Sequence, residues 1–524
     1  MSRHPEGPSG PPSEIVVPTE SGAVRGRRHG GTAVFHGIPY AAPPVGRARF
    51  APPRPHAPWA GVRDATEPGP TAPQARRDAF GALDMSPYFG PGWVRGEDYL
   101  TLTVHTPVDG GGDMVTGGSA GARPVMVFVH GGGFVAGSPR APLYDGTAFA
   151  RDGVVLVTVA YRLGIAGFLD LPGAPANRGL LDVIAALRWV RENIAAFGGD
   201  TGNVTLFGQS AGATLTGAVL ADPAARGLFR RAIVQSGSGL GAHTPEQAAR
   251  VTDAAARALG VRPRLDAFAA LPDERFVEIT PRLAGIDLTT PTHLDPLVGL
   301  SPFSVVRERQ PAHTLAAHAY GVDLLAGVNS EEGNLYLAPH GLLTSTTPAD
   351  LDALAARTDR APAELVAAHR ARRPDATDGA LRSAILGDAL FGNGTRRLLD
   401  AHATGATATG AHAEGAGRAG QRGGRTYAYE FAWRSDALGG QLGAAHTVEL
   451  PFVFDTTRLP QLHGPGALLG TAAPPPEPAR RTHAAWVAFA RTGDPGWEVY
   501  EPGRRVTRRI AEEWTSKDRA GVVG

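Results

Sequence analysis

A serine bracketed by glycines sits in the stretch Val204-Thr205-Leu206-Phe207-Gly208-Gln209-Ser210-Ala211-Gly212-Ala213. The β-prone run before it and the small-residue segment after it predict strand, sharp turn and helix, the setting of a G-x-S-x-G nucleophile elbow. In such a turn the serine backbone is pressed against its neighbours two positions away, so Gly208 and Gly212 have no room for side chains. The turn aims the Ser210 hydroxyl outward above the carboxyl edge of a sheet and leaves the Ala211 N–H facing the same space. The chemistry this serves is nucleophilic attack on a carbonyl carbon. It needs two further parts, a base to take the serine proton and N–H donors for the developing oxyanion. The competing reading is an ordinary glycine turn with an idle serine.

A second glycine cluster supplies the donors. Val125–Val129 is an apolar run of buried-strand length and ends in His130-Gly131-Gly132-Gly133-Phe134. A glycine triplet after a strand can cradle a phosphate, but no GK[ST] opens a helix here, and an HGGG-type oxyanion loop is the reading that pairs with the elbow. The surrounding pattern alternates. Val154–Val159, Ala232–Gln235 and Val322–Gly327 read as buried strands, and from Asn177 the residues Leu180, Leu181, Ile184, Leu187, Val190 and Ile194 recur at helical spacing. Strands alternating with helices predict an α/β fold with a large, mostly parallel central sheet flanked by helices. Near the start, short strands with glycine turns at 22–26 and 33–40 predict an antiparallel meander.

The expected organisation is one domain over 15–505, with a disordered tail at 1–14 and a C-terminal tail at 506–524. The Gly/Ala-rich segments 108–123 and 400–425 read as flexible insertions, which sets aside His402 and His412 as catalytic candidates. Residues 242–320 read as helical. Formal net charge is +1 over 524 residues, so nucleic acid has no electrostatic footprint here. Cysteine is absent and lysine occurs once, as Lys517. That removes thiol nucleophiles, disulfides and thiolate metal sites, and also the P-loop lysine. No metal or cofactor is expected. The polar, Pro-rich start lacks an apolar signal core and no apolar run reaches a membrane span, so the expectation is a cytoplasmic location.

Several further stretches carry a resemblance. Gly37-Ile38-Pro39-Tyr40-Ala41, Pro43-Pro44, Gly46 and Arg49-Phe50 are followed by Ala72-Pro73-Gln74 and Glu97-Asp98-Tyr99-Leu100, then by Tyr161-Arg162-Leu163-Gly164 and the text from Asn177 to Ala213. Together they resemble the type-B carboxylesterases, the cholinesterase-like and para-nitrobenzyl-esterase-like branch of the α/β-hydrolases. Where that family carries a disulfide this chain has Ala72 and Tyr99, which agrees with a reducing compartment.

The resemblance implies an α/β-hydrolase fold and a serine carboxylic-ester hydrolase acting on small to medium aryl or alkyl esters. It implies a triad of Ser210, Glu332 and His446. Glu332, not Glu331, matches the acid in Ser330-Glu331-Glu332-Gly333, and His446 alone of 17 histidines matches the family's G-A-x-H-x-x-(D/E)-L-P segment. Gly132, Gly133 and Ala211 would form the oxyanion hole. Phe134 and Gln209 would face substrate, and 294–303 would help wall the pocket. Gln209 stands where cholinesterases have Glu, which argues against choline esters. Two other readings stand beside this one. The same mechanism serves amides, carbamates or thioesters, and some family members are non-catalytic adhesion modules.

Overall fold

The computed structural model describes residues 13–108, 121–315, 321–413 and 423–518, without the side chains of 406–413. Residues 1–12 of the expected 1–14 tail, most of the 108–123 insertion, the middle of 400–425 and 519–524 lie outside the described residues, while Ser13 and Glu14, expected in the tail, begin the first strand. Among those described, a 13-stranded sheet runs through the molecule.

The chain opens with β1 (Ser13–Thr19), β2 (Gly22–His29) and β3 (Thr32–Pro39), an antiparallel meander, with the short β4 (Val62–Asp64) beside β2. A separate two-residue hairpin, β5 (Ala79–Phe80) and β6 (Leu83–Asp84), projects from the following loop. Then come β7 (Thr101–Pro107), β8 (Arg123–Val129), β9 (Val155–Val159), β10 (Gly199–Gln209), β11 (Arg231–Gln235), β12 (Asp323–Asn329) and β13 (Thr426–Phe431). Two last strands follow, β14 (Thr507–Ile510) and β15 (Thr515–Lys517).

The order across the sheet is β1-β2-β3-β7-β9-β8-β10-β11-β12-β13-β14-β15, and every pairing from β9 to β14 is parallel. The central strands are apolar on both faces because helices cover both, so β9 and β11 are buried along their whole length. Helix Arg178–Asn193 buries Leu180, Ile184, Leu187 and Val190, the 3.6-residue stripe read from sequence, while Leu181 and Ile194 frame it. Its Asn177 takes a left-handed conformation just before the helix, with its side chain bonded to Val306.

A buried ion pair ties the landmarks of the first half together. Arg162 binds both oxygens of Asp182 at 2.7 and 2.8 Å and donates to the carbonyls of Arg49 and Ala51. Both side chains are fully buried, and the guanidinium's donors and the carboxylate's oxygens are matched, the condition under which such a pair offsets its desolvation.

Three expectations fail. Residues 506–524 are not simply a tail: β14 extends the sheet in parallel with β13, and β15 caps it antiparallel, its Lys517 within 3.5 Å of Glu430. The arginines hid the strand, since Thr507 and Ile510 at its ends are buried while Arg508 and Arg509 between them are half-buried. Residues 400–413 are not a loop either but the end of helix Asn393–Ala413. Alanine favours helix, and buried His402 anchors it through Thr426 and the Val322 carbonyl. Finally, 242–315 is helical over Pro245–Leu259, Leu265–Ala269, Asp273–Ile279 and the short Pro311–Thr314, while most of 284–310 is irregular; 316–320 lie outside the described residues.

Candidate active site

Ser210 stands between the carboxyl end of β10 and helix Ala211–Leu220, with φ 57° and ψ −124°, a conformation a serine holds only under constraint. The constraint is local. A Cβ on Gly208 would run into the Gly212 carbonyl, and one on Gly212 would run into the carbonyls of Val129 and His130. The turn is pinned further by the Ser210 N–H bond to the Gln235 carbonyl at 3.0 Å.

The glycine loop after β8 faces the same space. Gly132 has φ 116° and Gly133 φ 63°, and a Cβ on Gly132 would meet the Ala136 carbonyl. The loop's carbonyls are held away from the cavity. That of Gly132 accepts from Val135 and Ala136, and that of Gly133 accepts from Ser301 Oγ at 2.6 Å. Gln74, from the Ala-Pro-Gln landmark, brackets Gly137 by donating to its carbonyl and accepting from its N–H. Among the described residues the N–H groups of Gly132 and Gly133 have no acceptor. The Ala211 N–H is a first-turn donor with no intrahelical partner. His130 is stacked on Tyr161, and burial lowers its pKa to about 4, so the loop carries no positive charge of its own.

The acid–base side is made of side chains from distant segments. His446 Nδ1 lies 2.7 Å from Glu332 Oε2. Glu332 Oε1 accepts from Ser236 Oγ at 2.6 Å and from the Asn329 N–H at 2.7 Å. Phe391 stacks flat on the imidazole at 4.3 Å between centroids and 7° between planes. It comes from a π-helical turn at Asp388–Gly392, the kind of helix irregularity often found at functional sites. Behind Glu332 and His446, Asn329 joins the Ala445 carbonyl to the Glu449 carboxylate. Burial, with the Glu332 charge second, pushes Glu449 up to about 7. Glu331 points elsewhere, to Arg434 and the Ala444 N–H.

Ser210, His446, Gly132, Gly133, Ala211 and Phe134 all line one cleft that opens to solvent. Its walls are mostly apolar, with Phe80, Phe89, Leu297 and Leu390 among them. Of the expected wall, Leu297, Leu300 and Ser301 line it, whereas Phe303 is buried in the main core. Phe134 also packs its ring edge-on against Phe168. Gln209 departs from expectation. It is fully buried and does not line the cleft. As the last residue of β10 its side chain turns behind the loop, where it accepts from Tyr88 Oη at 2.8 Å and brings its amide within 3.3 Å of His446 Nε2. Sequence reading missed Tyr88, Phe391 and Glu449 as parts of this site; Glu449 alone carried a signal, as the acidic position of the histidine segment.

Comparison with known proteins follows the same lines. The model of the carboxylesterase family matches residues 13–516. A phenmedipham hydrolase of Pseudarthrobacter oxydans is 35% identical over 489 residues, covering 92% of this chain and 90% of that protein. A para-nitrobenzyl esterase of Bacillus subtilis (strain 168) is 34% identical over 516 residues, 95% of each chain. Among solved structures, a Geobacillus stearothermophilus carboxylesterase superposes with a TM-score of 0.78 at 33% identity, covering 96% of this chain and 98% of that one.

Proposed function

The chain belongs to the carboxylesterase family, is a serine ester hydrolase of α/β-hydrolase fold, and on that premise we propose which residues do the work. Ser210 Oγ attacks the ester carbonyl while His446 Nε2 takes its proton. Glu332 holds the Nδ1–H tautomer and stabilises the imidazolium that forms. The N–H groups of Gly132, Gly133 and Ala211 receive the oxyanion. His446 then returns the proton to the departing alcohol, leaving acyl-Ser210. A water that His446 deprotonates attacks this ester, and the acid leaves with Ser210 restored. The observation that carries the reading is the meeting, in one cleft, of a constrained Ser210, a Glu332-bound His446 and donors without acceptors.

The substrates are small to medium aryl or alkyl esters, supported by a mostly apolar cleft with the nucleophile on its wall. Turnover of p-nitrophenyl acetate, butyrate and octanoate by the unaltered chain and by Ser210→Ala tests this. Activity that survives in Ser210→Ala would refute the assignment. The same acyl-enzyme route serves amides, carbamates and thioesters, and an ester run beside its isosteric amide sorts them. A cytoplasmic location stays part of the proposal, supported by the absence of cysteine. Among the described residues no helix is long and apolar enough to cross a membrane.

A further inference from the structure

We propose that the catalytic cleft contains an anion-binding subsite centred on Arg77, and that its preferred esters have an apolar or aromatic body ending in a carboxylate. This rests on the reading of the cleft given above and adds a substrate class to it.

Arg77 lines the cleft together with Ser210 and His446, and no aspartate or glutamate shares that lining. Its surroundings are aromatic. The guanidinium lies 4.6 Å from the Phe80 centroid and 5.4 Å from that of Phe89. Phe80 belongs to the β5–β6 hairpin and Phe89 follows shortly after, so the cation is held between two segments rather than left to swing. The neighbours in sequence do not neutralise it, because Arg76 and Asp78 pair with each other at 2.7 Å. Among the described residues Arg77 makes no ion pair and no side-chain hydrogen bond. The acidity of its guanidinium is raised by desolvation, with the Tyr336 and Tyr88 phenols as the only opposing influences.

Other arginines of this chain show what a structural one looks like. Arg162 is matched to Asp182 and two carbonyls. Arg178, equally buried, donates to the carbonyls of Ala166, Pro175, Ile165 and Leu169. A guanidinium that lines a substrate cleft without a protein acceptor among the described residues lacks that explanation. Ring faces orient it but accept none of its N–H bonds. A carboxylate on the substrate supplies the missing partner, in the two-oxygen geometry that suits arginine. Because the site is partly desolvated and apolar, such a bond is worth more there than at an open surface. The same charge works against cationic esters.

The test is binding of a matched series to Ser210→Ala, which leaves the ligands unreacted: 4-phenylbutyrate, 4-phenylbutyramide and trimethyl(4-phenylbutyl)ammonium, by calorimetry. The expected order is acid, amide, ammonium, with the acid tighter than the amide by about tenfold, the size of one charge-assisted bond. Adding Arg77→Gln should bring the acid-to-amide ratio to about one, and Arg77→Lys should retain part of it. An acid no tighter than its amide with Arg77 intact would overturn the proposal. So would a ratio that Arg77→Gln leaves unchanged. If Arg77→Gln does not fold by circular dichroism, Arg77→Lys takes its place, and an acid-to-amide ratio that Arg77→Lys leaves unchanged would overturn the proposal. Turnover of p-nitrophenyl acetate by the unaltered chain is measured in parallel. Its absence would refute the hydrolase reading without touching the ligand order, which reports on the subsite itself.

Discussion

On one side of the cleft the groups proposed to face substrate are backbone: the N–H groups of Gly132, Gly133 and Ala211, the two glycines set by positive φ angles and Gly132 also by contacts that exclude a methyl group. On the other they are side chains, His446 and Phe391, backed by the buried Glu332 and Ser236; the four come from separate segments and are fixed by hydrogen bonds and stacking. The first side has no adjustable parts, because a backbone N–H moves only if the chain does. The second has several, and each bond in it can be weakened singly. Mutation should therefore be close to all-or-none on the glycine side and graded on the histidine side.

The largest effect is expected where the two sides meet. Ser210→Ala should lower kcat by roughly 10⁶, the scale seen for the nucleophile of a serine protease, with little change in thermal midpoint. Gly132→Ala comes next. Its added methyl meets the Ala136 carbonyl at φ 116°, so the loop must move. Loss of a properly placed oxyanion donor should lower kcat by about 10²–10³, read from the p-nitrophenyl acetate assay. Ser236→Ala removes one of three hydrogen bonds to Glu332, and a bond to a charged group is worth about 1.5–3 kcal/mol. Its expected cost is about tenfold or somewhat more in kcat, with the acid limb of the pH–rate profile shifted. A mild Gly132→Ala beside a crippling Ser236→Ala would invert the comparison.

The smallest effect is on stability. Glu449 has a folded pKa of about 7, above the ordinary carboxylate value, so the folded chain binds the extra proton. Stability from this group is present below the unfolded pKa near 4.5 and is lost as pH rises to about 7. Glu449→Gln should flatten the fall in thermal midpoint between pH 5 and 7, measured by calorimetry. A slope unchanged in the variant would show that the buried carboxyl behind the triad does not titrate in this window.

The same division explains what could be read from sequence. Backbone-built features announce themselves locally, because a turn that excludes a methyl group or needs a positive φ favours glycine: Gly208, Gly212, Gly132 and Gly133 were all visible, and with them the strand–turn–helix frame. The proposed Glu332 and His446 were visible through short segments around them. The packing around those residues was not. Phe391 lies 55 residues before His446, and nothing in its neighbours hints at a π-helical turn that swings it onto the ring. Arg77 looks like one more arginine until the structure places it in a cleft lining that holds no aspartate or glutamate among the described residues. Composition misled twice: alanine and glycine over 400–413 suggested a loop where alanine makes helix, and arginines over 504–509 masked β14.

The one lysine lies at the end of all this, on β15 at the outer edge of the sheet, half-exposed beside Glu430. The strand order sets β15 five places from β10, about 24 Å at ~4.8 Å per strand, from the strand that carries Ser210. An amine-reactive support therefore finds one side-chain anchor, well away from the cleft, and a thiol-reactive one finds none. Covalent attachment through Lys517 would hold every molecule by the same edge, with the cleft left clear for substrate.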